Sequence, residues 1–238
     1  MTHPLVVIPT PIGNLEDITL RALRLLKEVD LVYAEDTRTT SRLFEEYGIT
    51  TPLKSFHLHN EHKVATEIAR EVANGRYIAL VSDAGTPAIS DPGFLAVRAC
   101  VEQGLQVTCL PGATAFVPAL VASGLPAERF FFEGFLPNKK GRKTRIEAIE
   151  AREVSTLLYE SPKRLTKLLT EIVELMGEER KIVVAREVSK RYEEYQRGTA
   201  RDLLEYFTQN EPLGEIVVVI APKEKEEHTH QNKYKKDN

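Results

Sequence analysis

Leu5-Val6-Val7-Ile8 runs directly into Pro9-Thr10-Pro11-Ile12-Gly13-Asn14, and beyond it Ile18, Ala22, Leu25, Leu26 and Val29 recur at helical spacing. Four consecutive apolar residues, three of them β-branched, predict a strand buried on both faces. The loop and the helix that follow complete a strand–loop–helix unit. That unit recurs. Further strands are expected over 30–34, 53–56, 77–81 and 105–110, with helices over 40–47, 61–74 and 93–103. The alternation specifies an α/β domain with a doubly wound, largely parallel sheet spanning 1–115.

The second half changes character. Strands are expected over 129–136, 156–160, 181–187, 192–198 and 215–221, and helices over 143–151, 162–176 and 200–207. Several of these strands follow one another through short connections, which favours a mixed or antiparallel sheet. Residues 116–222 therefore form a second α/β domain. The segment 223–238 holds nine charged residues in sixteen and is expected to be a disordered tail, with no role for His228 or His230.

The chain has 238 residues, 42% hydrophobic, which suffices for two cores. With 13 Gly, 13 Pro and 2 Cys it is neither collagen-like nor a disulfide scaffold. Cys100 and Cys109 are expected to be core-packed thiols. No apolar run has the length of a membrane span and the first residues lack a signal-peptide pattern, so a soluble, cytoplasmic protein is expected.

The 32 basic and 35 acidic side chains leave a net charge of −3, which excludes a protein coated in positive charge. Any RNA must be held by a local patch. Lys139-Lys140-Gly141-Arg142-Lys143-Thr144-Arg145 offers five cations in seven residues and is expected to be a mobile, RNA-binding loop, because each phosphate contact releases counterions. Arg38, Arg42 and Arg191 extend it. Tyr33, Phe56, Phe94 and Phe130-Phe131-Phe132 could stack on bases, although strand aromatics more often fill cores. His57-Leu58-His59-Asn60-Glu61-His62 matches no metal-ligand spacing, and no metal is expected.

No two glycines lie closer than seven positions apart, so neither the Gly-x-Gly-x-x-Gly fingerprint nor the phosphate-loop pattern is present. Glycine and proline instead gather in three loops after expected parallel strands: Thr10–Asn14, Ser82–Gly93 and Pro111–Thr114. Loops at the carboxyl ends of parallel strands are where open α/β sheets bind ligands. Three such loops together point to a cleft.

LVVIPTPIGNLEDIT, Ala34-Glu35-Asp36-Thr37, VSDAGTPAISDPG and LPGATA resemble the tetrapyrrole methylase superfamily, the class III S-adenosylmethionine-dependent methyltransferases. Within it the pattern is most similar to the branch acting on small-subunit ribosomal RNA. It continues through Tyr159-Glu160-Ser161-Pro162-Lys163-Arg164 and Ala185–Lys190 to Arg197-Gly198-Thr199. The resemblance implies a homodimer of two-domain subunits with S-adenosylmethionine in a cleft between the domains. It also implies methylation of the ribose 2′-hydroxyl of a cytidine in the decoding region of 16S rRNA, free or in the small ribosomal subunit. Carried onto this chain, the cofactor contacts fall on Pro11 and Ile12, on Asp83, Ala84, Gly85, Thr86 and Ile89, and on Ala113, Thr114 and Ala115. Where wider relatives have a compact Gly-Asp-Pro, this chain has Ser82–Pro87, which leaves Asp83 and Thr86 as alternatives for the acidic position.

Methyl transfer to a hydroxyl is an in-line displacement that needs alignment and a proton acceptor. Asp36, Glu160, Lys163, Glu187 and Lys190, at expected strand ends, are candidates with their roles open; Glu35 and Arg186 are their neighbours. Two other readings share the scaffold: a tetrapyrrole or other small-molecule methylase, and a non-catalytic ribosome-binding protein.

Overall fold

The computed structural model describes residues 3–223. Strand β1 (Leu5–Val7) lies between two parallel neighbours, and its three residues are all buried. That sandwiching is why it reads as an uninterrupted apolar run. After it come α1 (Leu20–Glu28), β2 (Leu31–Ala34), α2 (Thr37–Tyr47), β3 (Leu53–Ser55), α3 (Glu61–Ala73), β4 (Ile78–Val81), α4 (Phe94–Glu102) and β5 (Val107–Cys109). All five strands are parallel, in the order β3-β2-β4-β1-β5.

Side chains alternate between the two faces of this sheet. Val6, Val32, Ala79 and Val81 meet Leu25, Leu26 and Phe44 of α1 and α2. Leu5, Tyr33, Ile78 and Leu80 meet Ile68, Val72 and Cys100 of α3 and α4. Tyr33 and Phe56 are core residues, with no face free for a base. Cys100 is buried, but Cys109 is exposed. The expectation of a core thiol at Cys109 is corrected by its position on β5, an edge strand that is only partly covered.

The second half comprises α5 (Phe116–Ser123), β6 (Phe130–Phe135), α6 (Arg142–Glu150), β7 (Ser155–Glu160), α7 (Pro162–Met176), β8 (Lys181–Arg186), β9 (Glu194–Thr199), α8 (Ala200–Gln209) and β10 (Ile216–Ile220). Its sheet runs β6-β7-β10-β8-β9, with β6 and β7 parallel and the other pairs antiparallel. Leu158, Val184 and Val218 face α6, α7 and α8. On the opposite face Leu157, Val183, Val217 and Val219 pack on Ala119 and Leu120 of α5, together with Ile12 from the loop after β1. Ile12, on a loop of the first sheet, thereby packs in the core of the second. Lys223, expected to open the tail, is held by Glu150 at 2.7 Å, while 224–238, His228 and His230 lie outside the described residues.

Candidate active site

The three glycine- and proline-bearing loops are bonded to one another. Thr10 and Gly85 exchange two backbone hydrogen bonds of 2.9 Å, the Thr10 hydroxyl donates to the Ser82 carbonyl at 3.1 Å, and the Thr86 hydroxyl donates to the Ala113 carbonyl at 3.1 Å. Gly112 is needed for close approach: a Cβ there would lie 2.6 Å from Cβ of the rigid Pro9 ring. Ala88 and Ser90 sit at φ 71° and 65°, in the left-handed region that non-glycine residues seldom adopt. Such backbone strain persists only where the surroundings dictate it, and it collects at functional sites.

These loops and the near edge of the second sheet enclose a cavity of about 290 Å³. Of the positions carried over from the resemblance, Ile12, Ala84, Gly85, Thr86, Ile89, Thr114 and Ala115 line it. Pro11, Asp83 and Ala113 are not among its walls. The Asp83 carboxylate accepts the Asp36 N–H at 2.9 Å outside the cavity, and Ala113 contributes by holding Thr86.

The far wall comes from Phe135, from Tyr159 to Pro162 at the β7–α7 turn, and from Gly214 to Val217 leading into β10. Asp91 and Ser90 complete the near wall. Sequence reasoning assigned no role to Asp91, Tyr159 or Glu215; the signal available for Asp91 was an acid inside a cleft loop. Burial, reinforced by the charges of Glu35, Asp83 and Glu215 and partly offset by a Ser82 hydrogen bond, pushes Asp91 up to about 6. Burial likewise pushes the Tyr159 phenol up to about 12.

The candidate proton acceptors are scattered. Asp36 caps α2, accepting the Arg38 N–H, and its pair with the Arg38 guanidinium at 2.6 Å holds it down to about 2. Glu160 does line the cavity, but its side chain is fully buried between Arg164 at 2.6 Å and Arg142 at 3.4 Å. Lys163 lies beyond the cavity wall. Glu187 and Lys190 pair with each other at 2.9 Å, and Lys190 also meets Glu215 at 3.1 Å. Burial opposes the charge on both, yet these bonds prevail, lowering the Glu187 carboxyl and raising the Lys190 ammonium.

The cationic segment is only partly a surface. Helix α6 begins at Arg142, whose side chain is 4% exposed and paired with Glu171 at 2.8 Å as well as Glu160. Arg142 therefore leaves the expected RNA surface: its guanidinium neutralises buried carboxylates. Arg145 pairs with Glu133, and Lys143 lies 3.8 Å from Glu147. Lys139 and Lys140 are exposed, beside Asn138, which accepts from Arg164. His57 and His59 stack edge to face at 5.8 Å, and among the described residues no group of three His, Cys, Asp or Glu is arranged to hold a metal.

The pattern of tetrapyrrole (corrin/porphyrin) methylases matches residues 4–204, which take in all of the first sheet, four strands of the second and the three glycine- and proline-bearing loops of the cavity. The chain belongs to the tetrapyrrole methylase family. This methylase is 44% identical over 220 residues to ribosomal RNA small subunit methyltransferase I of Thermotoga maritima, covering 92% of this chain and 99% of that one. It is 47% identical over 218 residues to the protein of the same name from Synechocystis, covering 91% and 78%. Among solved structures, the methyltransferase CobJ superposes with TM-score 0.68 at 21% identity, over 92% of this chain and 94% of that one. Uroporphyrin-III C-methyl transferase from Thermus thermophilus, complexed with S-adenyl homocysteine, gives 0.62 at 19%, over 92% and 97%. Those two establish a shared fold; the closer relatives place this methylase with the small-subunit ribosomal RNA methyltransferases I.

Proposed function

We propose that this chain transfers the methyl group of S-adenosylmethionine to small-subunit ribosomal RNA, and that the acceptor is the ribose 2′-hydroxyl of a cytidine in the decoding region of 16S rRNA. The observation that carries this reading is the cavity between the loops of the first sheet and the edge of the second, lined by the glycine- and proline-bearing loops in which the chain resembles the family.

The lining fits the cofactor. Ile12, Ile89 and Val188 offer apolar walls, while Gly85, at φ 80°, adds no side chain to the space between them. The volume is at the small end of the ~300–1,000 Å³ common for such sites. When bound, S-adenosylmethionine supplies an electrophilic methyl on a sulfonium. Asp91 and Glu215 place negative charge in the same cavity, which suits a cationic ligand. Lys139, Lys140 and Lys143, all solvent-facing, give RNA phosphates a binding edge on the side of the β7–α7 turn, to which Arg142 ties their segment through Glu160.

Purified protein with labelled S-adenosylmethionine should label small ribosomal subunits or their rRNA, at a linkage that resists alkali because the blocked 2′-oxygen cannot attack its phosphate. Cofactor binding by calorimetry without transfer to any ribosomal substrate would overturn the reading. The same reading includes a cytoplasmic homodimer. Val117 and Val121 of α5, with Phe130 and Phe131 of β6, expose apolar surface of the kind a second subunit covers. Sedimentation at the monomer mass would refute the dimer.

A further inference from the structure

We infer that the carboxylate of Asp91 accepts the proton of the acceptor hydroxyl. The inference deepens the methyltransferase reading and rests on it. A base for this step must reach the cavity, carry no proton at neutral pH and be free of a neutralising cation.

Asp91 meets these conditions and the other candidate acids do not. Asp36, Glu160, Glu187 and Glu215 are each paired with arginine or lysine; of these Glu160 and Glu215 line the cavity, the first with its carboxylate fully committed to Arg142 and Arg164 and the second with its own held by Lys190 at 3.1 Å. Lys190, as an ammonium held by two carboxylates, has no lone pair to offer. Asp91 lines the cavity, and the charged groups that act on it most are all acidic. They are Glu35 at the end of β2, Asp83 in its own loop and Glu215 ahead of β10; Tyr159 and Glu160 of β7 share the wall, and Lys190 is tied to Glu215. Burial and these neighbours raise its affinity for a proton, so the carboxylate is a stronger base than an ordinary aspartate yet still ionised at pH 7 to 8.

The loop presents the residue in advance. Left-handed Ala88 and Ser90 reverse the chain on either side of Ile89, and the Ala88 N–H closes the turn on the Pro92 carbonyl at 3.2 Å. Gly93, at φ 148°, is required there, because a Cβ would lie 2.8 Å from the Ala88 nitrogen. In the step itself the hydroxyl O–H bond breaks and its proton passes to an Asp91 oxygen. The oxygen keeps the electron pair and bonds the methyl carbon, while the pair of the breaking carbon–sulfur bond leaves with sulfur. No further reactant is needed.

Asp91→Asn keeps the shape and removes the base. Methyl transfer at saturating S-adenosylmethionine should fall by about 100-fold or more, and any loss of cofactor affinity from the removed charge, read by calorimetry, should be much smaller than that. In the parent protein the acid limb of the rate profile should lie near the Asp91 titration, and Glu35→Gln should move that limb to lower pH. Wild-type rates in Asp91→Asn, or a loss of activity explained wholly by lost cofactor binding, overturns the inference. So does a carbon-13 carboxyl titration of Asp91 at the ordinary aspartate value, a readout that needs no substrate. Failure of the parent protein to methylate any ribosomal substrate instead removes the function reading, while that titration still decides the state of Asp91.

Discussion

Asp91 carries a stability cost along with its proposed use. Its folded value of about 6 lies above the ordinary 3.8, so protonation favours the native state. The contribution is fully present below the unfolded value and is lost as pH rises through 6. Asp91→Asn should therefore raise the melting temperature at pH 7.5, with the gain fading as the pH falls towards 4. A melting temperature that is unchanged or lowered at pH 7.5 contradicts the buried, acid-flanked setting. Asp83 and Asp91 were both visible in the sequence as acids of one loop, but the family resemblance pointed to Asp83. What turns Asp91 inward is the left-handed backbone at Ala88 and Ser90, and such conformations at non-glycine residues leave no mark in residue type.

Among the elements, α6 and α7 are locked by charge. Arg142 bridges Glu160 at the end of β7 and Glu171 on α7, with both its own side chain and that of Glu160 almost wholly withdrawn from water. Arg142→Ala leaves a buried carboxylate facing only Arg164 and should cost about 3–5 kcal/mol, measured by urea unfolding. A change below 1 kcal/mol would mean that water reaches Glu160. A run of lysines and arginines reads as surface because long cations are rarely buried, and the partners that bury Arg142 lie 18 and 29 residues away. Helix α5 escaped the sequence for a different reason. Phe116-Val117-Pro118-Ala119-Leu120-Val121-Ala122 has no polar face, so no helical period marks it. The parallel strands were legible as short uninterrupted apolar runs, and the amphipathic helices α1, α3 and α7 because one period decides both their burial and their secondary structure.

At the scale of the molecule, Ile12 makes the two halves one folding unit, since it packs in the core of the second sheet while its loop is hydrogen-bonded to Gly85 in the first. Heating should give a single transition, moved up as a whole by S-adenosylmethionine, by about 2.7 kcal/mol at a hundredfold excess over Kd. Two transitions, only one of them responsive, would show that the halves melt independently and that the cleft is not shared. Charge is distributed on the same scale. A net −3 repels RNA at long range, so binding must be carried by a local group of solvent-facing cations. With Arg142 buried and Arg145 drawn to Glu133, Lys139, Lys140 and Lys143 carry that load. Each phosphate contact adds about 0.7–0.9 to the slope of log affinity against log salt, so replacing all three with alanine should flatten that slope by about 2 to 3. The same replacement at Lys27, Lys63 and Lys181, also solvent-facing but on α1, α3 and β8, should leave the slope near its original value, and equal losses for both sets would mean that RNA is held by diffuse charge and not by this edge.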